Sequence, residues 1–455
     1  MSLKRLFVLI ILSIVILAGC SQGNNDPAGN NSSTNNEQNQ ESQENGTNSE
    51  SNAEESEDQA DQEPVEQEEP GPAPDPVIVD NLDITASVTG PSLKEAYKDY
   101  FMFGVGLNGY DTSVDTIQSA AMREVIKHQF NSVTYTNLMK PTYLLDQQKS
   151  IANAEAGMTD PGVVFDTSTL GMDFSQENGI KMRGHTLVWH TQTPDWFFKE
   201  GFQSTGALVD RDTMLQRLES YIKQVLEFYQ TEYPGVIYAW DVVNEAVEVV
   251  PGSFETETGM NIRTKHGTGD DNLWYLTVGV DYPEKAFEYA RKYADPDVKL
   301  FYNDYNTFQP RKTTAIYNLA SSLKEKGLID GIGMQSYMGL TYPGIVAGGD
   351  NILAAIQKFA QLELEIQLTE LTLSIDTNDE ESLQKQADRY KTLFQILVGQ
   401  DTASGGPANI TSVTVFGIMD EYMLYPDDKN YSRLFDGQLQ PKPAFHSIMS
   451  VVQKD

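Results

Sequence analysis

The sequence predicts an α/β protein with a single (β/α)8 barrel, the TIM-barrel fold, preceded by an export signal and an acidic tether. Three observations support this prediction. The chain has 455 residues and one cysteine, so packing rather than disulfides must hold a large core together. Its composition changes near residue 90 from polar to ordinary globular. Beyond that point short apolar runs alternate with longer amphipathic stretches, the pattern of βα units on a parallel sheet.

Residues 1–19 form a predicted lipoprotein signal peptide. Lys4 and Arg5 precede an apolar stretch at 6–18, and the tetrapeptide LAGC ends at Cys20. This order is typical of an export signal, and the tetrapeptide resembles a bacterial lipobox. The resemblance implies cleavage before Cys20 and lipidation of its thiol. We therefore expect a lipid anchor in the cell membrane, with the folded part on the extracellular or cell-wall side; a plain transmembrane anchor is the alternative.

Residues 20–90 are predicted to form a disordered linker behind this lipidated cysteine. From residue 21 to residue 75 the chain is mainly Asn, Gln, Ser, Glu and Gly, without Lys or Arg. Such a segment buries too little apolar surface to offset the entropy of ordering it, and its charges repel one another. The formal net charge of −34 argues against a nucleic acid partner. The folded domain is predicted to span residues 91–455.

Eight strands and the helices between them are predicted in this domain. The strands lie at 101–108, 132–137, 181–190, 237–245, 299–306, 330–337, 364–371 and 413–420. The helices include 116–130, 213–229, 282–293, 313–326, 352–361 and 380–398. Eight such units over this length favour a closed barrel over an open doubly wound sheet.

Two glutamates stand at predicted strand ends. Glu245 ends the fourth strand, and Glu370 lies at the end of the seventh. The carboxyl ends of barrel strands meet on one face, where the active sites of this fold lie. Two opposed carboxylates on that face are the groups that hydrolyse a glycosidic bond. A solvated barrel rim also carries glutamates, so the two positions alone leave both interpretations open.

Longer motifs favour the catalytic interpretation. Residues 240–246 read WDVVNEA and residues 366–371 read IQLTEL; they resemble the acid/base and nucleophile segments of glycoside hydrolase family 10 xylanases. Further matches follow in the family's order, namely RGHTLVWH at 183–190, NDYN at 303–306, DGIGMQS at 330–336, LFD at 434–436 and PKPA at 441–444. The resemblance extends over the folded part and implies a barrel that hydrolyses xylan.

Carried over by position, the resemblance implies a retaining mechanism. Glu245 is then the acid/base and Glu370 the nucleophile, with carboxyl groups about 5–5.5 Å apart. Asn244 hydrogen-bonds the sugar 2-hydroxyl, and Gln335 holds the carboxylate of Glu245. No metal or other cofactor is expected, because the five histidines are scattered and the chemistry needs none.

The same resemblance implies further sugar contacts. His185 and Lys140 donate to sugar hydroxyls near the cleavage point. Asn137 lies beside them, and Trp189 forms an apolar wall. Three other residues remain open between a core position and a sugar contact, namely His190, Trp196 and Trp274.

Four positions depart from the family pattern. Thr136 stands where the family carries Glu, Tyr337 replaces a His, Thr372 replaces an Asp, and Leu424 replaces a Trp. In the family the His and the Asp form a hydrogen-bonded chain that orients the nucleophile. Losing one member would strand a buried polar partner at a cost of roughly 1–3 kcal/mol, whereas replacing both can be nearly neutral. We therefore hypothesise that the Tyr337 hydroxyl donates directly to Glu370.

These departures keep three functions open. The leading interpretation is a monomeric, retaining endo-β-1,4-xylanase acting on a β-linked polysaccharide. Thr136 and Leu424 favour a second one, a family member with a weaker or broader preference that accepts another β-glycan or a decorated oligosaccharide. The third is a non-catalytic carbohydrate-binding lipoprotein. Glu245 and Glu370 argue against it, because a binding protein needs no opposed pair of carboxylates.

Overall fold

The computed structural model describes residues 81–109, 115–249, 259–265, 270–420 and 431–453. The predicted signal peptide, the lipidation site Cys20 and the linker up to residue 80 lie outside these ranges, and so does Leu424. Among the helices of the described residues, none is long and apolar enough to cross a membrane.

Eight parallel strands form a closed barrel. In chain order they are β1 (Met102–Leu107), β2 (Ser132–Tyr135), β3 (Lys181–Trp189), β4 (Ile237–Asn244), β5 (Lys299–Asp304), β6 (Gly331–Met334), β7 (Glu365–Ser374) and β8 (Asn409–Val415). Each strand pairs with its neighbours in sequence, and β8 pairs with both β7 and β1. The sheet therefore closes on itself, and the predicted (β/α)8 fold is confirmed.

Helices surround this barrel. The α-helices of the described residues are Thr85–Thr89, Leu93–Ala96, Ala120–Gln129, Pro141–Leu144, Gln147–Glu155, Thr169–Asn178, Arg211–Glu232, Leu273–Thr277, Tyr282–Tyr293, Pro310–Glu325, Ile352–Ala360, Glu380–Gln400 and Pro443–Val452. Short 3-10 turns span Asp195–Phe198, Glu200–Phe202 and Thr402–Ser404. Because helices cover the outside and side chains fill the inside, nearly all residues of β3, β4 and β7 are buried.

The last predicted strand is wrong in its position. It was placed at 413–420, whereas β8 begins at Asn409 and ends at Val415. Its polar start pairs with β7, where the Thr411 hydroxyl donates to Glu365 at 2.9 Å. Its end is set by Gly417, whose φ of +104° lies outside the strand region and is tolerated by glycine.

The sixth predicted strand is split in two. β6 ends at Met334 instead of residue 337, and a separate short strand, Tyr337–Gly339, pairs with the end of β7. Ser336 between them has a φ of +64°, which ends a strand. In the new pairing Tyr337 lies opposite Thr372.

The folded part begins before the predicted boundary at residue 91. Residues 85–89 form a helix in which Ser87 is buried. The Gln129 side chain donates to the Ser87 carbonyl at 2.7 Å, and Leu82, Ile84 and Val88 pack against the core. Residues 85–89, which the sequence assigned to the linker, therefore have helical structure, and partial burial of their apolar neighbours offsets part of the entropy lost on ordering.

Candidate active site

Glu245 follows directly on the last residue of β4 and has a left-handed backbone. Its φ is +57°, a conformation that is strained in a non-glycine residue and that clusters at functional sites. Its N–H donates to the Asn303 carbonyl of β5 at 2.9 Å. The Arg263 guanidinium donates from Nε to the Glu245 carbonyl, also at 2.9 Å. Neighbouring groups thus fix both sides of this strained residue.

The carboxylate of Glu245 accepts one hydrogen bond on each oxygen. Gln335 donates from Nε2 to Oε1 at 2.8 Å, and Trp189 donates from its indole Nε1 to Oε2 at 3.0 Å. Gln335 lies where the sequence predicted it. Trp189 was expected to act as an apolar wall, and the structure adds a polar contact through its ring nitrogen.

Glu370 lies within β7, where the pairing with β8 shifts register between Leu368 and Leu371, and its side chain points into the same cluster. It is 6% exposed. Asn303 donates from Nδ2 to Glu370 Oε1 at 3.1 Å. The hydroxyl of Tyr337 donates to Oε2, as hypothesised from the sequence.

Asn244 connects the two glutamates. Its side-chain oxygen accepts from Asn303 Nδ2 at 3.0 Å and from Gln335 Nε2 at 3.3 Å. Asn303 also donates to Glu370, and Gln335 also donates to Glu245. Three amide side chains therefore tie both carboxylates into one network at the carboxyl ends of β4 to β7.

A buried ion pair lies beneath this network. Arg183 of β3 donates through two nitrogens to the Asp241 carboxylate of β4, and its Nε donates to Gln367 of β7 at 2.9 Å. His185 Nδ1 lies 2.8 Å from Asp241 Oδ2. Burial opposes ionisation of Asp241, but the charge of Arg183 and the bond from His185 outweigh it and lower the pKa of Asp241. The pair fixes the predicted site residue His185 against the barrel interior.

Three predicted sugar contacts lie together beside Glu245. Lys140 Nζ donates to Asn137 Oδ1 at 2.9 Å. The same ammonium lies 4.7 Å from the centroid of the Trp189 ring, within cation–π range. Because Trp189 also donates to Glu245, this corner of the site is linked to the carboxylate pair.

The structure assigns one of the three residues that the sequence left open between a core position and a sugar contact. Trp274 is buried, packs edge to face on Phe198 with centroids 4.9 Å apart, and donates to the Trp189 carbonyl at 3.1 Å. It is a core residue that supports Trp189. Trp196 is partly buried against the core, and the buried His190 lies with its ring centroid 6.0 Å from that of Trp189.

The NDYN motif at 303–306 supplies site residues to which the sequence pattern gave no role. Asn303 is the amide shared by Asn244 and Glu370. Asp304 is buried beside Lys312 Nζ at 2.7 Å and accepts from the Tyr302 hydroxyl. Burial, opposed by Lys312 and reinforced by the charge of Glu245, raises the pKa of Asp304 to about 6. The motif itself was the available signal, but it does not say which partners its side chains meet.

Arg263 was also missed. It lies in the loop after β4, forms an ion pair with Glu248 at 2.8 Å and donates to the Tyr305 hydroxyl at 2.9 Å. Burial acts to lower the pKa of Arg263, but Tyr305 and the nearby carboxylates outweigh it and raise that pKa. No sequence motif marked this residue, because its contact to Glu245 depends on how the loop folds back.

The departure at Thr136 has a simple local explanation. Its side chain is buried, and its hydroxyl donates to the Leu107 carbonyl at 3.1 Å. The hydroxyl is thus used within the barrel. Among the described residues, no three His, Cys, Asp or Glu side chains are grouped so that they could hold a metal ion.

A closed (β/α)8 barrel with two hydrogen-bonded carboxylates at its strand ends defines the class of (β/α)8-barrel glycoside hydrolases. Residues 92–451 match the family described as Glycosyl hydrolase family 10. The chain belongs to this family and is a glycoside hydrolase.

Two named proteins are similar to this chain in sequence. The chain is 49% identical over 316 residues to the "Putative endo-1,4-beta-xylanase" of Caldicellulosiruptor saccharolyticus, covering 68% of this chain and 96% of that protein. It is 39% identical over 368 residues to "Endo-1,4-beta-xylanase B" of Butyrivibrio fibrisolvens, covering 80% of this chain and 54% of that protein.

Two solved structures are also similar. The N-terminal endo-1,4-beta-D-xylanase 10B of Clostridium thermocellum, complexed with xylohexaose, has a TM-score of 0.70 and 37% identity, covering 80% of this chain and 68% of that chain. The intracellular xylanase TsXylA of Thermoanaerobacterium saccharolyticum has a TM-score of 0.63 and 35% identity, covering 79% of this chain and 98% of that chain.

Proposed function

We propose that the chain is a retaining endo-β-1,4-xylanase in which Glu245 is the acid/base and Glu370 the nucleophile. The observation that carries this proposal is the shared hydrogen-bond network: Asn303 donates to Glu370, Gln335 donates to Glu245, and both amides contact the Asn244 side chain. The relatives described above are all named as xylanases. These names support xylan as the substrate.

The first step forms a covalent intermediate. A Glu370 carboxylate oxygen bonds to the anomeric carbon while the bond from that carbon to the glycosidic oxygen breaks. Glu245 gives its proton to the departing oxygen, so the leaving sugar chain departs with a neutral hydroxyl. Gln335 and Trp189 hold the two Glu245 oxygens and keep its carboxyl group aimed at the leaving oxygen.

The second step hydrolyses this intermediate. Glu245, now a carboxylate, takes a proton from a water molecule whose oxygen bonds to the anomeric carbon. The bond between that carbon and Glu370 breaks, and the enzyme returns to its starting protonation state. Two displacements on one carbon leave the product with the configuration of the substrate.

The surrounding side chains bind the sugar in this proposal. The Asn244 amide lies against Asn303 and Gln335, and in this proposal it contacts the sugar 2-hydroxyl. Such a bond strengthens as charge develops in the transition state. Lys140 and His185 donate to other hydroxyls, Asn137 orients Lys140, and the Trp189 ring supplies an apolar face.

A second candidate keeps the mechanism but changes the glycan. The Thr136 hydroxyl is turned to the Leu107 carbonyl, so a contact that a glutamate would make to the distal sugar is absent from this side chain. This favours a weaker or broader preference, with another β-glycan or a decorated oligosaccharide accepted. A non-catalytic binding protein is disfavoured, since fixing two carboxylates with separate donors serves no purpose in a binder.

A substrate panel with product stereochemistry tests the proposal. Release of reducing sugar is measured on unsubstituted and decorated xylans, mixed-linkage glucan and cellulose, and NMR follows the anomer formed first. We expect β-configured products from xylan in the wild type and none from Glu370→Ala. Faster release from a glucan would favour the second candidate, whereas α-configured products would contradict the retaining mechanism.

We further propose that Cys20 is lipidated and holds the enzyme, as a monomer, at the outer side of the cell membrane. The support is the LAGC tetrapeptide behind a basic and apolar leader. Cells expressing Cys20→Ala should release the protein into the soluble fraction, while the wild type should partition with membranes. Equal partitioning of both proteins would contradict the anchor, and light scattering of a chain without the leader tests the monomer.

A further inference from the structure

The nucleophile carboxylate has two donors of different kinds. Asn303, buried in β5, donates to Glu370 Oε1 and also to Asn244. Its own oxygen accepts from the Thr369 hydroxyl at 2.7 Å. A Cβ at Gly333 would lie 2.4 Å from that oxygen, so glycine is required there. Asn303 is therefore fixed on every side and is shared between two residues.

The second donor, Tyr337, reaches the carboxylate from the segment that follows β6. It is the first residue of the short Tyr337–Gly339 strand, which the end of β7 holds through the pairing of Tyr337 with Thr372. Its ring packs edge to face on Phe416 with centroids 6.2 Å apart. The residue is 44% exposed, although its hydroxyl donates to Glu370 Oε2. Backbone pairing and one ring contact thus aim the hydroxyl.

The charges around Tyr337 keep its hydroxyl protonated. Glu370 of β7 and Glu245 after β4 face it, and Arg433, from the segment after β8, acts in the opposite direction. Burial of the hydroxyl end and the two carboxylates raise the pKa of Tyr337 well above its usual value of 10. The phenol therefore stays a neutral donor to a higher pH than an unperturbed tyrosine.

We infer that Tyr337 is a positioning residue of the glycosidase reaction: its hydroxyl holds the Glu370 carboxylate in place for attack on the anomeric carbon. This inference rests on the proposed function. A tyrosine hydroxyl, unlike a histidine ring, does not change its charge between acidic and mildly alkaline pH. The hydrogen bond to Glu370 should therefore be the same over that range. Losing the hydroxyl should affect the rate of the chemical step more than substrate binding.

Three variants test the inference. Tyr337→Phe removes only the hydroxyl and keeps the ring on Phe416. Tyr337→His replaces the phenol with a donor that titrates near pH 6.5. Tyr342→Phe is the matched control, because Tyr342 follows in the same loop and its hydroxyl donates to Asp350 at 2.7 Å. Rates of the full chain are measured from pH 4 to 9 on the glycan that the substrate panel identifies.

We expect Tyr337→Phe to lower kcat about 10- to 100-fold, with KM changed less than about threefold and Tm nearly unchanged. Tyr337→His should recover part of the rate and add an ionisation near pH 6.5 to the profile of kcat/KM, and Tyr342→Phe should behave as the wild type. Wild-type kcat in Tyr337→Phe, an equal loss in Tyr342→Phe, or an unaltered profile in Tyr337→His would overturn the inference. In each case an active wild type leaves the proposed function intact. A wild type without activity on any glycan would contradict the proposed function, and the inference with it.

Discussion

The two glutamates of the site differ in how the chain holds them. Glu245 lies just beyond β4 with a left-handed backbone, and Arg263 from the following loop bonds its carbonyl. Glu370 lies inside the ten-residue strand β7, at the point where the pairing of β7 with β8 shifts register between Leu368 and Leu371. The proposed acid/base is thus held by a strained turn and loop contacts, whereas the proposed nucleophile is held within β7 and by Asn303 and Tyr337.

This difference indicates which residues matter for each step. A residue that must deliver a proton to one oxygen and later accept one from water needs its carboxyl aimed outward from the strand end. A nucleophile needs one fixed line of approach, which a strand provides. Changes near Glu245 should therefore affect proton transfer, and changes near Glu370 should affect formation of the covalent bond.

Removing each carboxylate gives the largest expected effect. Glu370→Ala should lose about 10⁵-fold or more of kcat on every substrate, because no covalent intermediate can form. Glu245→Ala should lose about 10²- to 10⁴-fold on xylan. The two variants can be distinguished by stopped-flow measurements with an aryl xyloside whose leaving group needs no proton. Only Glu245→Ala should still release the aryl group in a burst, because it keeps the nucleophile. A burst from Glu370→Ala would reverse the assignment.

Breaking the ion pair beneath both glutamates should cost stability. Asp241→Asn leaves Arg183 buried without its carboxylate partner, and we expect the free energy of unfolding to fall by about 3–5 kcal/mol. Urea unfolding measures this change. The control is Glu95→Gln, which removes an exposed pair with Lys98 at 3.5 Å and should change little. Equal effects of the two substitutions would contradict the central role of the buried pair.

Arg263→Met tests the support of the strained turn. Loss of the bond to the Glu245 carbonyl should lower kcat on xylan about 10- to 100-fold through misplacement of the acid. The burst from the activated aryl xyloside should change less, because that step needs no proton. Arg211→Met serves as the control, since Arg211 pairs with Asp281 on the surface at 2.7 Å. If both substrates lose the same factor, Arg263 does not act through Glu245 alone.

The smallest expected effect concerns the buried Asp304, whose pKa is raised in part by Glu245. Asp304→Asn tests how this carboxyl makes the free energy of unfolding depend on pH. Its raised pKa of about 6 means that the folded state holds this proton more tightly than the unfolded chain. The resulting stability is present below about pH 4 and is lost as pH rises through 6. The asparagine variant has no such proton, so only the wild type loses this stability as the pH rises. The difference in unfolding free energy between wild type and variant should therefore shrink by roughly 1–2 kcal/mol between pH 4.5 and 6.5. A difference that stays constant or widens would contradict the raised pKa.

The sequence predicted the barrel well where patterns were regular. The apolar run that ends in Asn244 and Glu245 matched β4 to within one residue, and the amphipathic helix Tyr282–Tyr293 was predicted with its observed ends. β8 was misplaced because its first residues are polar and gain their place from pairing with β7. Short-range periodicity does not report such pairing.

The site was predictable to the extent that motifs mark it. Glu245, Glu370, Asn244 and Gln335 meet as expected from their segments, and the bond from Tyr337 followed from a paired departure. The linking role of Asn303 did not follow, because an amide can serve many partners and its choice depends on the neighbouring strand. Arg263 was invisible for the same reason, since its partner is a backbone carbonyl fixed by loop folding.

The central claim is that Glu245 and Glu370 act on opposite sides of one sugar linkage. Its most direct test is to trap the intermediate with a 2-deoxy-2-fluoro xylobioside carrying a good leaving group and to map the label by peptide mass spectrometry. We predict a single covalent sugar on Glu370. A sugar attached to any other residue, or unlabelled enzyme that still cleaves xylan, would contradict the account.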